Sequence, residues 1–174
     1  AEREAHPDLF HFAVGLLEVL RESDADRLLA VLVLAKTLAR MGYRPQLVRC
    51  AVCGNELPAD AARVAFLPSH GGAVCRGCAG PEESGTSTRL LRALEAGLRR
   101  PLRERAELGL DARDVERGAF LIERFFRFQI GTDLRSAAFL RQALADAEKS
   151  ADEGVSVDAA TGRARQLMGD ADAG

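Results

Sequence analysis

All four cysteines of this 174-residue chain fall in one window, CAVCGNELPADAARVAFLPSHGGAVCRGC, as Cys50, Cys53, Cys75 and Cys78. The pattern is C-x2-C, 21 residues, C-x2-C. Two residues between cysteines let a tight turn aim both sulfurs at one point, and two facing turns complete a tetrahedron. Gly54 follows the first pair and suits a turn that needs positive φ. The four thiols are therefore read as ligands of one Zn2+, each sulfur at about 2.3 Å. Four protein ligands leave no open coordination position, so the ion is structural, not catalytic. Its binding would supply folding energy to a window with too little apolar material to fold by itself.

The competing readings are weaker. Nothing in the sequence suggests secretion, which paired disulfides would want. A redox C-x2-C pair wants a βαβ context that is absent. Iron–sulfur clusters take the same ligands, usually at other spacings. His70 could replace one ligand, but four cysteines already saturate the site.

Outside the window the chain reads as mainly α: a helical bundle domain interrupted by a small β zinc-ribbon module. Residues 1–49 form its first helical part, 50–80 the ribbon and 81–149 the second helical part. Residues 150–174, rich in Ala, Gly and Asp, read as a disordered acidic tail. Asp8 caps a helix with Leu9, Phe12, Ala13, Leu16, Leu17 and Leu20 inward. Ser23 and Asp24 open a second helix, LLAVLVLAKTLARM, apolar nearly all round and so buried, which Gly42 and Pro45 end. VAFL and AVC read as two short strands about a Gly-Gly turn. Leu90, Leu91, Leu94, Leu98 and Leu102 share a sector of about 120° on the next helix, which Pro101 kinks or restarts. A further helix covers 114–131, with Asp114 as cap and Gly131 as stop. A last one covers 136–147.

Arginine outnumbers lysine 22 to 2. A GC-rich genome explains that ratio as readily as phosphate recognition, so only local placement informs. Residues 29–141 carry 18 bases against 12 acids, between acidic ends. Arg89, Arg92, Arg99, Arg100 and Arg103 lie opposite the leucine sector, within about 100°. They are candidates for phosphate contact, as is Arg76 inside the second cysteine pair. An ordinary solvated helix face is the plainer alternative for each. Phe125, Phe126 and Phe128, at helical spacing, read as core rather than as a stacking platform. No catalytic constellation is visible: His6, His11 and His70 are scattered, and there is no P-loop or paired-carboxylate motif. No apolar run approaches the ~20 residues a membrane helix needs.

The run Gly42-Tyr43-x-Pro45-x-Leu47-x2-Cys50-x2-Cys53-Gly54, then Gly71-Gly72, Val74 and Cys75-x2-Cys78, resembles the bacterial recombination mediator family RecO. FFRFQIGTDLRSAAFL, residues 125–140, is similar to that family's closing helices. The resemblance covers about residues 8–145. It implies a non-enzymatic, cytoplasmic, nucleoid-associated protein of the RecF pathway. Such a protein anneals complementary strands and helps load recombinase on single-stranded DNA. Its implied partners are RecR, single-strand binding protein and single- and double-stranded DNA, with no membrane. The family also has an N-terminal OB-fold, for which nothing before Asp8 provides. With no initiator Met, the chain is expected to be the C-terminal part of a longer protein. The alternative function is a zinc-stapled helical adaptor that binds only proteins.

Overall fold

The apolar face of LLAVLVLAKTLAR organises the molecule. In the computed structural model, which describes residues 7–59, 62–80, 85–131 and 142, this segment forms helix α2, Arg27–Arg40. It buries Leu29, Val31, Leu32, Ala35 and Leu38. Its cap is Asp26, whose carboxylate accepts from the Leu29 amide at 2.7 Å, not Ser23 or Asp24. Ser23 is used otherwise: its hydroxyl donates back to the Val19 carbonyl and finishes helix α1, Pro7–Glu22. Asp8 sits inside the first turn of α1, where a carboxylate favours the helix dipole, rather than at the cap position. Arg105 clasps the α1–α2 turn, with Nε 2.5 Å from Asp26 Oδ2 and a second nitrogen on the Asp24 carbonyl.

Helix α3 spans Thr88–Arg99 and α4 spans Ala112–Ile130. All five leucines of the expected sector, Leu90 to Leu102, are buried. Pro101 ends α3 and leads into a tighter 3-10 turn, Leu102–Leu108. The cap of α4 is Asp111, which accepts from the Asp114 amide, so Asp114 lies one turn inside. Strands β1 (Arg63–Leu67), β2 (Gly72–Val74) and β3 (Thr86–Ser87) form an antiparallel sheet ordered β2-β1-β3. Ala65 faces Val74 and Phe66 faces Ala73. The turn between β1 and β2 is not the Gly-Gly pair alone. Pro68 cannot continue a strand ladder, so Pro68–His70 makes a 3-10 turn and Gly72 joins β2 opposite Leu67.

The main core takes residues from α2, α3, α4, β1, β2 and the segment between α2 and β1. Val31, Ala35 and Leu38 of α2 meet Leu91 and Leu94 of α3, and Ile122 and Phe125 of α4. They also meet Phe66, Ala73 and Val74 of the sheet, and Leu47, Cys50 and Leu57. The rings of Phe66 and Phe125 pack edge to face at 6.0 Å. A smaller cluster of Leu29, Leu32 and Leu102 receives Phe12, Leu16 and Val19 of α1. Leu17 and Leu20, expected inward, face solvent with Phe10 and Val14.

Two charged residues are buried among the described residues, Glu95 and Lys36, the latter 5% exposed. The Lys36 Nζ donates to the Leu98 carbonyl at 2.9 Å and the Arg100 carbonyl at 2.7 Å, satisfying the C-terminal end of α3. Burial, then the nearby Arg40 and Arg44, pushes its pKa below the ordinary 10.5. The unfolded chain therefore binds this proton more readily, and the group's contribution to stability rises with pH between the depressed value and 10.5. Lys36→Met keeps the stem but strands two carbonyls. The expected loss is about 2 kcal/mol by denaturant unfolding, with the slope unchanged.

The chain divides into two units, Ala1–Leu134 and Arg135–Gly174. All elements above belong to the first. The expected helix at 136–147 and the acidic tail lie outside the described residues, Gln142 excepted.

Candidate metal centre

Each cysteine pair is shaped by backbone hydrogen bonds. After α2 stops, the chain runs past buried Pro45 to Gln46, whose amide donates to the Gly71 carbonyl and whose carbonyl accepts from the Ala73 amide. Ala51 adds a bond to the Ala73 carbonyl at 2.8 Å. Residues 46–51 thus lie along the free edge of β2. The first turn closes when the Gly54 amide donates to the Cys50 carbonyl at 2.9 Å, and Gly54 takes φ +75° as its position demands. The second closes when the amides of Cys78 and Ala79 donate to the Cys75 carbonyl, each at 3.0 Å.

These turns bring all four Sγ atoms within 4.8 Å of one another. A tetrahedral ion with sulfurs at about 2.3 Å sets sulfur–sulfur edges of about 3.8 Å, and Cys53 and Cys75 stand 3.8 Å apart. Cys50 is buried, Cys75 is half-buried, and Cys53 and Cys78 are exposed. The Cys75 amide donates to Cys50 Sγ at 3.3 Å. Burial pushes the Cys50 thiol up, but the backbone N–H groups of Cys53, Cys75 and Val52 outweigh it and bring it down to about 6. The Cys78 thiol is pushed up to about 12, chiefly by hydrogen bonds with Cys75 and Cys53. So one thiol is ready to ionise and another is held protonated by hydrogen bonds with its neighbours, an arrangement that a bound cation would favour in its ionised form. The four residues fit a metal ion. His70 Nδ1 is 3.1 Å from the neighbouring Ser69 hydroxyl and is not in the cluster.

The family model "Recombination protein O C terminal" matches residues 1–138, which include this centre and both helical parts around it. The chain belongs to the RecO family. The DNA repair protein RecO of Pelotomaculum thermopropionicum is 34% identical over 143 residues, covering 80% of this chain and 54% of that protein. RecO of a Roseiflexus species is 33% identical over 136 residues, covering 75% and 46%. RecO of Desulforudis audaxviator is 32% identical over 144 residues, covering 82% and 56%. The chain spans about half the length of the curated RecO proteins it matches. No solved structure matches it. Among the described residues no helix is long and apolar enough to cross a membrane.

The arginines singled out from the RecO-like sequence are less uniform than their helical sector suggests. Arg89 pairs with Asp114. Arg92 donates to the Leu57 carbonyl at 2.8 Å and lies 3.5 Å from Glu56. Arg99 shares Glu95 with Arg44, each at 2.8 Å. Arg100 binds Glu107 at 2.8 Å. Arg76 and Arg103 are exposed and make no ion pair among the described residues.

Sequence reasoning misses the outer face of α4. Arg113, Arg124 and Phe128 are exposed there, and Phe120 is 53% exposed. Of the expected core trio only Phe125 is fully buried; Phe126 packs partly against the core, and Phe128 is 56% exposed. At 100° per residue Phe128 falls between Arg117 and buried Leu121, so the period alone leaves its side open.

Proposed function

We propose that this chain serves DNA repair and homologous recombination as a non-enzymatic accessory of the RecF pathway. It promotes strand annealing and recombinase loading on single-stranded DNA, with RecR and single-strand binding protein as partners. Family membership over residues 1–138 carries this reading. Cys50, Cys53, Cys75 and Cys78 hold one Zn2+, which supplies folding energy and no chemistry. The protein works in the cytoplasm, on the nucleoid.

A cleft of about 720 Å3 supports a role for the helical part in partner capture. Phe12, Leu16, Leu98 and Leu102 give it an apolar floor, and Arg40, Arg99, Arg100 and Arg103 rim one side. Acids of α1, Asp8, Glu18 and Glu22, rim the other. An apolar-ended acidic peptide, such as the tail of single-strand binding protein, matches the floor and the arginine side.

The adaptor reading keeps one observation in its favour: Arg89, Arg92, Arg99 and Arg100 already have carboxylate neighbours. The pairs of Arg92 and Arg100 are exposed and worth about 0–1 kcal/mol, so a phosphate or a carboxylate-rich peptide can displace them, whereas Arg89 and Arg99 hold the largely buried carboxylates of Asp114 and Glu95. Arg99→Glu with Arg103→Glu separates the two. The expected result is about tenfold weaker binding of an acidic tail peptide by fluorescence anisotropy, with annealing of complementary strands also reduced. Lost peptide binding beside undetectable DNA binding by the wild-type chain would favour the adaptor. A wild-type chain that binds neither would sink both.

A further inference from the structure

On α4, Arg113, Arg117, Phe120, Arg124, Arg127 and Phe128 fall within a sector of about 100° at helical spacing. The centre of this sector lies opposite buried Ile122, while buried Leu121 flanks it beside Phe128. It contains no acid. Two acids, Glu116 and Glu123, border it on the Arg127 side; Glu116 is bound by Arg27 of α2, and Asp114, beyond the other edge, by Arg89. Arg113, Arg117 and Arg124 make no ion pair among the described residues. The Arg117 guanidinium stands over the Phe120 ring at 5.4 Å. The stripe runs for about fifteen residues, roughly 22 Å at 1.5 Å per residue.

From this juxtaposition of Arg113, Arg117 and Arg124 with two exposed aromatic rings, we infer that the outer face of α4 binds single-stranded nucleic acid. Phe120 and Phe128 stack bases, and Arg113, Arg117 and Arg124 hold the phosphates between them. Charge decides the occupant: arginines with no acid among them suit a polyanion, and two rings on one helix face suit a chain that offers a flat apolar surface at every unit. The inference rests on the nucleic-acid part of the function proposed above and assigns it to α4 rather than to the cysteine centre or α3.

The chain has no Trp, so Phe120→Trp installs a single reporter on the stripe. A labelled oligothymidylate is titrated into this variant and into the wild-type chain at several salt concentrations. Stacking is expected to quench the indole emission while affinity stays near wild type. Phe120→Ala and Phe128→Ala should each weaken binding roughly fivefold to a hundredfold without changing the salt slope. Arg113→Gln with Arg124→Gln should reduce the slope of log affinity against log salt by about 1.4, that is about 0.7 for each phosphate left without its arginine. These positions are exposed, so unchanged circular dichroism is expected throughout.

Oligonucleotide binding with unquenched indole and unaltered affinity in the alanine variants would overturn this site and leave the wider DNA reading intact. No binding by the wild-type chain would remove both. Quenching by an acidic peptide but not by oligothymidylate would assign the face to a protein partner, and the inference fails.

Discussion

Cys50→Ser is expected to empty the metal site and to unfold the described domain, not the ribbon alone. The reason lies in how the sheet is packed. Val64, Phe66, Ala73 and Val74 share one core with Leu38, Leu91, Ile122 and Phe125, and Cys50 itself is 2% exposed within it. Zinc contributes an apparent binding energy of about 10–16 kcal/mol in small metal-folded peptides, and the zinc proposed for these four cysteines would contribute of order 10 kcal/mol. That rivals the about 5–15 kcal/mol by which whole domains are stable. A loss of that size is not absorbed at the edge of the fold. Cys78→Ser is expected to be milder, because that thiol is exposed and a hydroxyl there stays hydrated. Metal analysis should give about one zinc per wild-type chain and well below one for Cys50→Ser. Thermal unfolding should change from a single cooperative transition to a broad or absent one. A Cys50→Ser protein with full zinc and an unshifted transition would refute the structural role. So would metal-free wild-type protein that melts where the loaded protein does.

The parts of this architecture that can be read from the sequence are those governed by local spacing. The two C-x2-C pairs converge because each is closed by its own backbone turn, through Gly54 and through Cys78 and Ala79. The leucines of α3 face one way because a 3.6-residue period leaves them no other arrangement. What cannot be read depends on partners distant in sequence. Strand β3 is two residues long and exists because Val64 faces Thr86 across the sheet. The arginine sector of α3 gives no sign that Arg89 and Arg100 meet Asp114 and Glu107, since those acids lie beyond Pro101. Phe128 reads as inward because FLIERFFRF carries apolar residues on both sides of the helix. Only the placement of α2 and the sheet selects the side that Phe125 shares. The ribbon's standing in the core is hidden for the same reason. Its own apolar residues are too few to fold alone, yet enough to complete a core that the helices leave open.

Gly72→Ala is expected to be the most damaging single methyl addition at the centre, although Gly72 ligates nothing. A Cβ there would fall on the carbonyl oxygen of Gln46 and 2.7 Å from its nitrogen. Both are backbone atoms and cannot rotate aside. Both are also committed, the nitrogen to the Gly71 carbonyl and the oxygen to the Ala73 amide. Relieving the clash therefore moves residues 46–51 off the edge of β2, and Cys50 moves with them. Gly72 also sits at φ +146°, which adds strain for any side chain. Overpacking and strain together predict a loss of about 3–5 kcal/mol. Gly54→Ala provides the comparison. Its φ is +75°, but a Cβ there meets nothing within 4 Å. Conformational strain alone then costs about 1–2 kcal/mol. Denaturant unfolding of the loaded proteins measures both losses, and competition with a chromophoric chelator measures zinc affinity. Gly72→Ala should weaken the affinity well beyond Gly54→Ala, because it displaces the first ligand turn as a body. Equal losses for the two variants would mean that the close approach of Gln46 to β2 does not seat the metal centre.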